Sequence, residues 1–284
     1  MNTKILHAIN FFRSPNSSFN DTVQFKTLQS INKALLVNQC LGGTNVSVAC
    51  VGDAEDLEYT RARAASAGLH DYCEITTNYT QMPVKDSAGA HRLPLLTDIL
   101  LPIRDSIRAH QYSHIIFSNS DICLSPYFYF TVQALIDRLS DGASFVINRE
   151  TISKELAFRP VDAAYGAIGE PHVGHDCFVI PNRVLEKIVL AHHIVGVGYV
   201  MRPLILNLIL FSSSFTELSR SWLTFHYGDD MVWKKDSWDS LLCSNKENMI
   251  NVYNSLRDYV PEAWLARQSL INHYFTPSIL KAND

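Results

Sequence analysis

The sequence predicts an α/β fold with a mainly parallel central sheet and helices on both of its faces. Short runs of branched apolar residues alternate with segments of helical period over the first 150 residues. Most of the strand-like runs end in polar or glycine-containing turns. A hydrophobic content of 47% over 284 residues is enough for a buried core and excludes a disordered chain. We expect one continuous domain.

The first 77 residues predict strand, helix, strand, helix, strand. The predicted strands are short and rich in branched residues, and Gly42 and Gly68 end the two helices between them. In chain order, the elements are a strand at 4–10 (KILHAIN), a helix from Thr22 to Gly42, a strand at 46–53 (VSVACVGD), a helix at 55–67 and a weaker strand at 71–77 (DYCEITT).

Residues 82–90 are expected to form a loop, after which the alternation continues to residue 150. Pro94 and Pro102 fall near the start of the next helix or kink it, and Pro126 opens a further one. The elements are a helix at 92–111, a strand that begins HIIF at 114, a helix at 126–142 and a strand at 143–150 (ASFVINRE).

After residue 150 the alternation weakens. A loop-rich segment leads to a strand at 177–181 (CFVIP), a helix through His193 and a glycine-containing turn. A further apolar helix over 199–211 is too short to cross a membrane. The tail from Lys234 on is expected to be helical and to cap the body.

Charge and cysteine content narrow the class of protein. The net charge of −4, with no block of five like charges, argues against a nucleic-acid partner. The apolar stretch at the N-terminus is too short for a signal peptide, so we expect a cytoplasmic protein. Peripheral attachment to the inner face of the membrane stays open. The six cysteines form no CxxC pair and are expected to be reduced.

The sharpest local motif is Asn119-Ser120-Asp121, which ends the apolar run HIIF. A carboxylate at such a strand end faces the crevice in which parallel sheets bind ligands. The same residue types are favoured in plain turns, because their side chains bond neighbouring backbone amides. The sequence leaves ligand site and turn as equal alternatives.

A second motif, FHYGDD, places His226 shortly before the adjacent carboxylates Asp229 and Asp230. Imidazole and carboxylate ligands together suit a divalent metal. A histidine near two aspartates is also common in solvated loops, and three residues do not define a coordination sphere.

The third motif, GEPHVGHDCFVIP at 169–181, places Asp176 directly before a predicted strand. Its glycines let the backbone approach a ligand, and Asp176 can act as a base or bind a sugar hydroxyl. The alternative is a structural loop that caps the strand, with exposed histidines.

Taken in order, these segments resemble a bacterial glycosyltransferase of the GT-A fold: KILHAIN, VGD, RLPLLTDIL, HIIFSNSDI, INRE, GHDCFVIP and FHYGDD. In that family the last Asp of an Asp-x-Asp motif binds Mn or Mg, which holds the diphosphate of a sugar nucleotide, and a late His often adds a ligand. Asp121 matches the last Asp and His226 the late His. Asn119 replaces the first Asp and contributes no charge to a cation site.

The resemblance implies a nucleotide-sugar-binding half at 1–150 and, in the same domain, an acceptor half with a helical tail at 151–284. Contacts to the donor are expected from strand ends and nearby polar residues: Ala8, Ile9, Asn10, Arg13, Asp53, Arg92 and Asn119. Asp176 is the first candidate for the base that deprotonates the acceptor, before Asp229 and Asp230.

The expected function is transfer of a sugar from a nucleotide-diphosphate sugar to a hydroxyl of a glycan or lipid-linked glycan, as in the synthesis of a bacterial surface polysaccharide. Two alternatives remain. One is a nucleotidyltransferase at the same sheet edge, although no P-loop or GxGxxG follows a strand. The other is an inactive nucleotide- or glycan-binding module.

Overall fold

A seven-stranded sheet lies at the centre of the structure, a computed structural model that describes residues 3–13, 18–80, 82–86, 89–228 and 238–275, with backbone alone at 82–86 and 89–92. The strands in chain order are β1 Lys4–Ile9, β2 Asn45–Gly52, β3 Cys73–Thr76, β4 Met82–Asp86, β5 Gly89–Leu93, β6 His114–Ser118, β7 Cys123–Leu124, β8 Ser144–Ile147, β9 Glu150–Ile152, β10 Glu170–Pro171, β11 Cys177–Pro181, β12 Phe215–Leu218 and β13 Thr224–Tyr227.

The central sheet has the order β12-β8-β11-β6-β1-β2-β3. All of its strands run in one direction except β11, which is antiparallel to both neighbours. This confirms the prediction of a mainly parallel sheet. Because β11 lies between β6 and β8, residues far apart in the sequence share one sheet edge.

Helices cover both faces of this sheet, as predicted. They are α1 Ser18–Cys40, α2 Ala54–Ser66, α3 Leu96–His110, α4 Phe128–Arg138, α5 Asn182–Leu185, α6 Arg202–Phe211, α7 Asp239–Tyr259, α8 Pro261–Ala266 and α9 Gln268–Tyr274. Alternation along β1 shows the two layers: Leu6 packs with α3, α6 and the C-terminal helices, while Ile5 packs with α1, α2 and α4.

A smaller sheet with the order β10-β9-β13-β7 lies beside the central one. Its β7 and β13 are antiparallel, with Cys123 opposite Phe225. Phe225 packs with Val23 of α1 and with residues of the 3₁₀ helices Lys154–Phe158 and Val161–Ala164. This sheet was not predicted, because strands of two to four residues carry little periodicity.

Two further predictions were wrong. Residues 82–86 and 89–93 pair as a hairpin where a loop was expected. The helix expected to run through His193 ends at Leu185. The backbone N–H and C=O of Val189 instead bond the buried side-chain amide of Asn207 in α6, so the segment satisfies its polar groups without a helix.

Strand β12 and the two 3₁₀ helices were not predicted, and the other elements match the sequence predictions within a few residues. The cysteines are unpaired, with Cys50, Cys123 and Cys177 buried and the other three exposed. Within the described ranges, no helix combines the length and apolar character needed to span a bilayer.

Candidate functional site

Polar side chains gather where the parallel strands end. Ile9 of β1 lies opposite Ser118 of β6 and Cys50 of β2, so Asn10 and Asn119 follow at the same edge. Cys177 pairs with Ser118 and with Ile147, which brings Asp176 and Asn148 to this edge as well. The edge is the one at which open α/β sheets bind ligands.

A buried histidine cross-links two of these strands beneath the edge. His7 of β1 bonds Ser118 Oγ of β6 at 2.8 Å and Tyr129 Oη of α4 at 2.7 Å. Burial lowers the pKa of His7 to about 3, so the ring is neutral. Its role is to hold the strand ends that carry Asn10 and Asn119.

Asp121 and His226 form a pair at this edge. Asp121 lies just before β7 and His226 lies within β13, so the antiparallel pairing of these strands brings the two side chains together, with Asp121 Oδ2 3.2 Å from His226 Nε2. The His226 side chain is 9% exposed and that of Asp121 is 43% exposed. The pair therefore has a buried imidazole behind a carboxylate that solvent reaches.

The tautomer of His226 follows from its second contact. Nδ1 lies 2.6 Å from the carbonyl oxygen of Gly228, which can only accept, so Nδ1 carries a hydrogen. In the neutral ring Nε2 then presents a lone pair to the Asp121 carboxylate. Two acceptors at this distance repel unless a proton or a cation lies between them.

The ionisation of both groups reflects this pairing. Burial acts to raise the pKa of Asp121, but the charge and hydrogen bond of His226, with a contribution from Arg149, hold it below its usual value. Burial acts to lower the pKa of His226, yet the Asp121 carboxylate raises it above the usual value. The position between the two side chains therefore favours a positive charge.

These residues fit a divalent cation that a substrate helps to hold. Asp121 Oδ1 is buried and has no hydrogen-bond partner among the described residues. One carboxylate and one imidazole suit Mn or Mg, which in many enzymes complete their coordination with substrate phosphates and water. In the described part of the chain, no group of three or more His, Cys, Asp or Glu residues could hold a metal by itself.

Asp176 lies beside this pair and makes two strong contacts. Its Oδ1 accepts from Asn119 Nδ2 at 2.9 Å, and its Oδ2 accepts from Arg149 Nη1 at 2.9 Å. The Arg149 and Asp176 side chains are 12% and 11% exposed. Asp176 thus holds both Asn119 of the Asn119-Ser120-Asp121 motif and the buried Arg149 guanidinium in place.

Arg149 is a site residue that the sequence reasoning missed. It lies between the end of β8 and the start of β9, and its charge acts on both Asp121 and His226. The signal was present in INRE, where polar residues follow an apolar strand just as Asn119 does. Arginine is suited to bidentate phosphate binding.

The ends of β1 and β2 form a second group of polar side chains. Asn10 Nδ2 donates to Val51 O and to Tyr79 Oη, each at 2.8 Å. Tyr79 Oη in turn donates to Asp56 Oδ2 at 3.2 Å. Asp53 caps α2, its Oδ1 accepting from the Asp56 N–H at 2.9 Å. Asp56 and Tyr79 were not predicted as site residues.

The other predicted contacts are placed as follows. Ala8 and Ile9 are fully buried, and their side chains belong to the two core layers. Arg13 is exposed, with Nη1 3.5 Å from Glu55 Oε1. The Arg92 backbone pairs with Pro83 in the hairpin, and its side chain lies outside the described part, as do Asp229 and Asp230. The roles predicted for these residues stay predictions.

Comparison with known proteins gives alignments to solved structures at low sequence identity. No family model and no curated sequence matches the chain. Residues 1–349 of S. aureus TarS align at 8% identity and a TM-score of 0.43 over 92% of this chain and 74% of that one. A longer TarS structure aligns at 9% identity and a TM-score of 0.46, over 89% of this chain and 43% of that one.

A third solved structure is a protein from Entamoeba histolytica described as a UDP-N-acetylglucosamine pyrophosphorylase. It aligns at 12% identity and a TM-score of 0.38 over 67% of this chain and 62% of that one. This chain thus spans less than two thirds of that protein and of the longer TarS chain. The chemistry of this chain therefore rests on the side chains described above.

Proposed function

We propose that this chain is a glycosyltransferase that moves a sugar from a nucleotide-diphosphate sugar to a hydroxyl acceptor. The observation that supports the proposal best is the convergence of Asp121, His226 and Arg149 at one sheet edge. A carboxylate-imidazole pair that favours a cation, next to a buried guanidinium, suits a diphosphate. Asn10 and Tyr79 lie at the adjoining strand ends. The nucleoside attached to the diphosphate would bind there.

Asp121 and His226 are the residues that would hold Mn or Mg. When bound, the cation supplies positive charge against the oxygens of the diphosphate, which become more negative as the bond to the sugar breaks. The Gly228 carbonyl fixes His226 with Nε2 toward Asp121, so the imidazole needs no reorientation.

Arg149 would neutralise the leaving diphosphate from the protein side. Its Nη1 is committed to Asp176 at 2.9 Å, which fixes the guanidinium plane. A fixed donor stabilises developing charge better than a mobile one, because little reorganisation accompanies the reaction. In this scheme Asp176 and Asn119 are positioning residues for Arg149, while the earlier prediction that Asp176 is the base remains open to test.

The acceptor would bind on the other side of Asp176, toward β8 and β12. A hydroxyl of a glycan or lipid-linked glycan is the acceptor class we propose, as in bacterial surface polysaccharide synthesis. Peripheral attachment to a membrane is part of this proposal only for a lipid-linked acceptor.

The test is a ligand screen followed by a product assay. Uridine, guanosine and thymidine diphosphate sugars are added with Mn or with EDTA, and the thermal midpoint is measured. A ligand at 100 times its dissociation constant adds about 2.7 kcal/mol of stability. Release of nucleoside diphosphate supports a glycosyltransferase, and release of pyrophosphate from a sugar phosphate and a nucleoside triphosphate identifies a nucleotidyltransferase. Binding without turnover identifies a binding module.

A further inference from the structure

A second polar cluster lies at the same sheet edge, on the side away from Asn10 and Tyr79. It consists of His175, Glu217, Asn148 and Tyr274, contributed by four separate segments of the chain. Glu217 belongs to β12, Asn148 follows β8, His175 precedes β11 and Tyr274 ends α9. None of these residues takes part in the diphosphate and metal chemistry described above.

Glu217 is held in one orientation by its neighbours. Asn148 Nδ2 donates to its Oε1, and Tyr274 Oη donates to its Oε2 at 2.6 Å. Burial acts to raise the pKa of Glu217, but these hydrogen bonds and His175 hold it below the usual value. Glu217 is therefore an ionised carboxylate with a fixed plane.

His175 Nε2 lies 3.5 Å from Glu217 Oε2, and the His175 side chain is 11% exposed. His175 Nε2 has no hydrogen-bond partner among the described residues, and the negative charge of Glu217 at 3.5 Å favours hydrogen on Nε2 and a lone pair on Nδ1 by electrostatic attraction. The edge of the Tyr274 ring packs against the imidazole, with centroids 5.8 Å apart. The result is an oriented imidazole backed by a carboxylate, the pairing that activates a hydroxyl in many enzymes.

The charged groups around His175 leave it neutral near pH 7. Burial lowers its pKa, Glu217 and Asp176 act to raise it, and Arg202 of α6 acts to lower it, with a net value below the usual one. Tyr274 is the other titratable group in contact, and burial raises its own pKa well above neutrality. A neutral imidazole can accept a proton.

The order of strands places this cluster on the acceptor side. Along the edge, the candidate nucleotide residue Asn10 follows β1 and the candidate metal ligand Asp121 follows β6, and β11, β8 and β12 lie on the other side of β6. Asp176, the residue next to His175, has both carboxylate oxygens engaged by Asn119 and Arg149. Asn148 is buried and its Oδ1 has no partner within the described residues, so it can accept a hydrogen bond from a hydroxyl.

We propose that His175, oriented by Glu217, is the group that deprotonates the attacking hydroxyl. The inference rests on the proposed glycosyl transfer. The acceptor oxygen forms a bond to the anomeric carbon as the bond from that carbon to the diphosphate breaks, and the hydroxyl proton moves to His175 Nδ1. The diphosphate leaves with the electron pair, and His175 returns its proton to solvent. His175 is a catalytic residue in this step, and Glu217, Asn148 and Tyr274 are positioning residues.

Water is the acceptor used for the test, because it needs no knowledge of the natural acceptor. The probe is the nucleotide-diphosphate sugar that gives the largest thermal shift with Mn, and release of nucleoside diphosphate is followed. His175→Gln is expected to lower this rate by about 100-fold or more. It should leave the Mn-dependent thermal shift by the same nucleotide unchanged. The control His192→Gln, an exposed histidine, should keep the wild-type rate.

Two further measurements separate a catalytic role from a structural one. Imidazole added to His175→Ala should restore nucleotide release, because it replaces the missing base. In the wild type the rate should rise with pH through the pKa of His175, and Glu217→Gln should move this rise to lower pH, because Glu217 raises that pKa.

A wild-type rate in His175→Gln overturns the proposal while leaving glycosyl transfer in place. A large loss of rate in Asp176→Asn without loss of stability, together with no loss in His175→Gln, assigns the base to Asp176 instead. If the wild-type chain releases no nucleoside diphosphate from any donor in the panel, the proposed function falls and this inference falls with it.

Discussion

His226 Nε2 lies 3.2 Å from Asp121 Oδ2, although 105 residues separate them in the sequence. The contact depends on the small second sheet, in which β7, which follows Asp121, is the antiparallel neighbour of β13, which contains His226. Backbone pairing therefore sets the distance, and the Gly228 carbonyl sets the tautomer. The fold holds together two side chains that favour a positive charge between them, which is either a proton or the cation proposed above.

Asp121→Asn is expected to remove the Mn-dependent part of nucleotide stabilisation. The amide keeps the size of the side chain but lacks the charge that attracts a divalent cation. Since the Asp121 side chain is 43% exposed, the thermal midpoint without ligand should change little. The measurement is the thermal midpoint with nucleotide, with and without Mn.

The matched control is Asp141→Asn, an exposed aspartate whose partner is Arg183. It should keep the full response to Mn. An unchanged response to Mn in Asp121→Asn would mean that Asn119-Ser120-Asp121 is only a turn.

The sequence predicted the larger elements well because long periodic segments carry strong signals. The alternation of apolar strands and helices gave the sheet and the edge at which Asp121 and Asn10 lie. It did not identify Arg149 or Glu217 as site residues, because the position of each depends on pairing between distant segments. Strand β11 lies between β6 and β8, and β12 pairs beside β8. The expectation that Asp121 and His226 are metal ligands came from a family resemblance. Their contact depends on the pairing of β7 with β13, which was not predicted.

Asp176→Asn is expected to destabilise the protein, because it leaves the Arg149 guanidinium buried with a weakened ion pair. Breaking a buried pair by removing one partner typically costs about 3–5 kcal/mol, and both side chains here are nearly nine-tenths buried. Adding Arg149→Gln to Asp176→Asn should recover part of this loss, so that the double variant is more stable than the sum of the single changes. Urea unfolding of the four proteins measures the coupling.

If Asp176 is instead the base, a different result is expected for Asp176→Asn. In that case Asp176→Asn lowers turnover by roughly 100-fold with little loss of stability and little change in donor affinity. Stability and rate measured on the same variant therefore separate the two roles.

Asn10→Ala is expected to weaken nucleotide binding about tenfold, or about 1.4 kcal/mol. The Asn10 amide donates to Val51 O and Tyr79 Oη, which leaves its own oxygen as an acceptor for a ribose or base at the strand end. The loss should be the same with Mn and with EDTA, because Asn10 is not part of the metal pair. Titration calorimetry with the nucleoside monophosphate of the preferred donor measures it, and an unchanged affinity would place the nucleoside elsewhere.

Asp56 makes the stability of the folded chain depend on pH, and a single variant can isolate this contribution. Burial, with the nearby Asp53 and Glu55, raises the pKa of Asp56 to about 6, against hydrogen bonds from the Arg13 N–H and Tyr79 that lower it. The unfolded chain releases this proton near pH 4. Between about pH 4 and pH 6 the folded chain therefore holds a proton that the unfolded chain has lost, and this group makes stability fall as the pH rises through that window.

Asp56→Asn removes this titration, because an amide is neutral throughout. The thermal midpoint of the variant relative to the wild type should therefore be higher at pH 7.5 than at pH 4, with the change occurring between about pH 4 and pH 6. Carboxylates distant from Asp56 titrate equally in both proteins, so the difference between the two midpoints reports Asp56 and its interaction with Asp53 and Glu55. Glu58→Gln, which removes an exposed carboxylate from the same helix, is the control for the loss of one charge from α2. A difference for Asp56→Asn that does not vary with pH would show that Asp56 titrates like an exposed carboxylate, and that the Asn10, Tyr79 and Asp56 group is open to solvent.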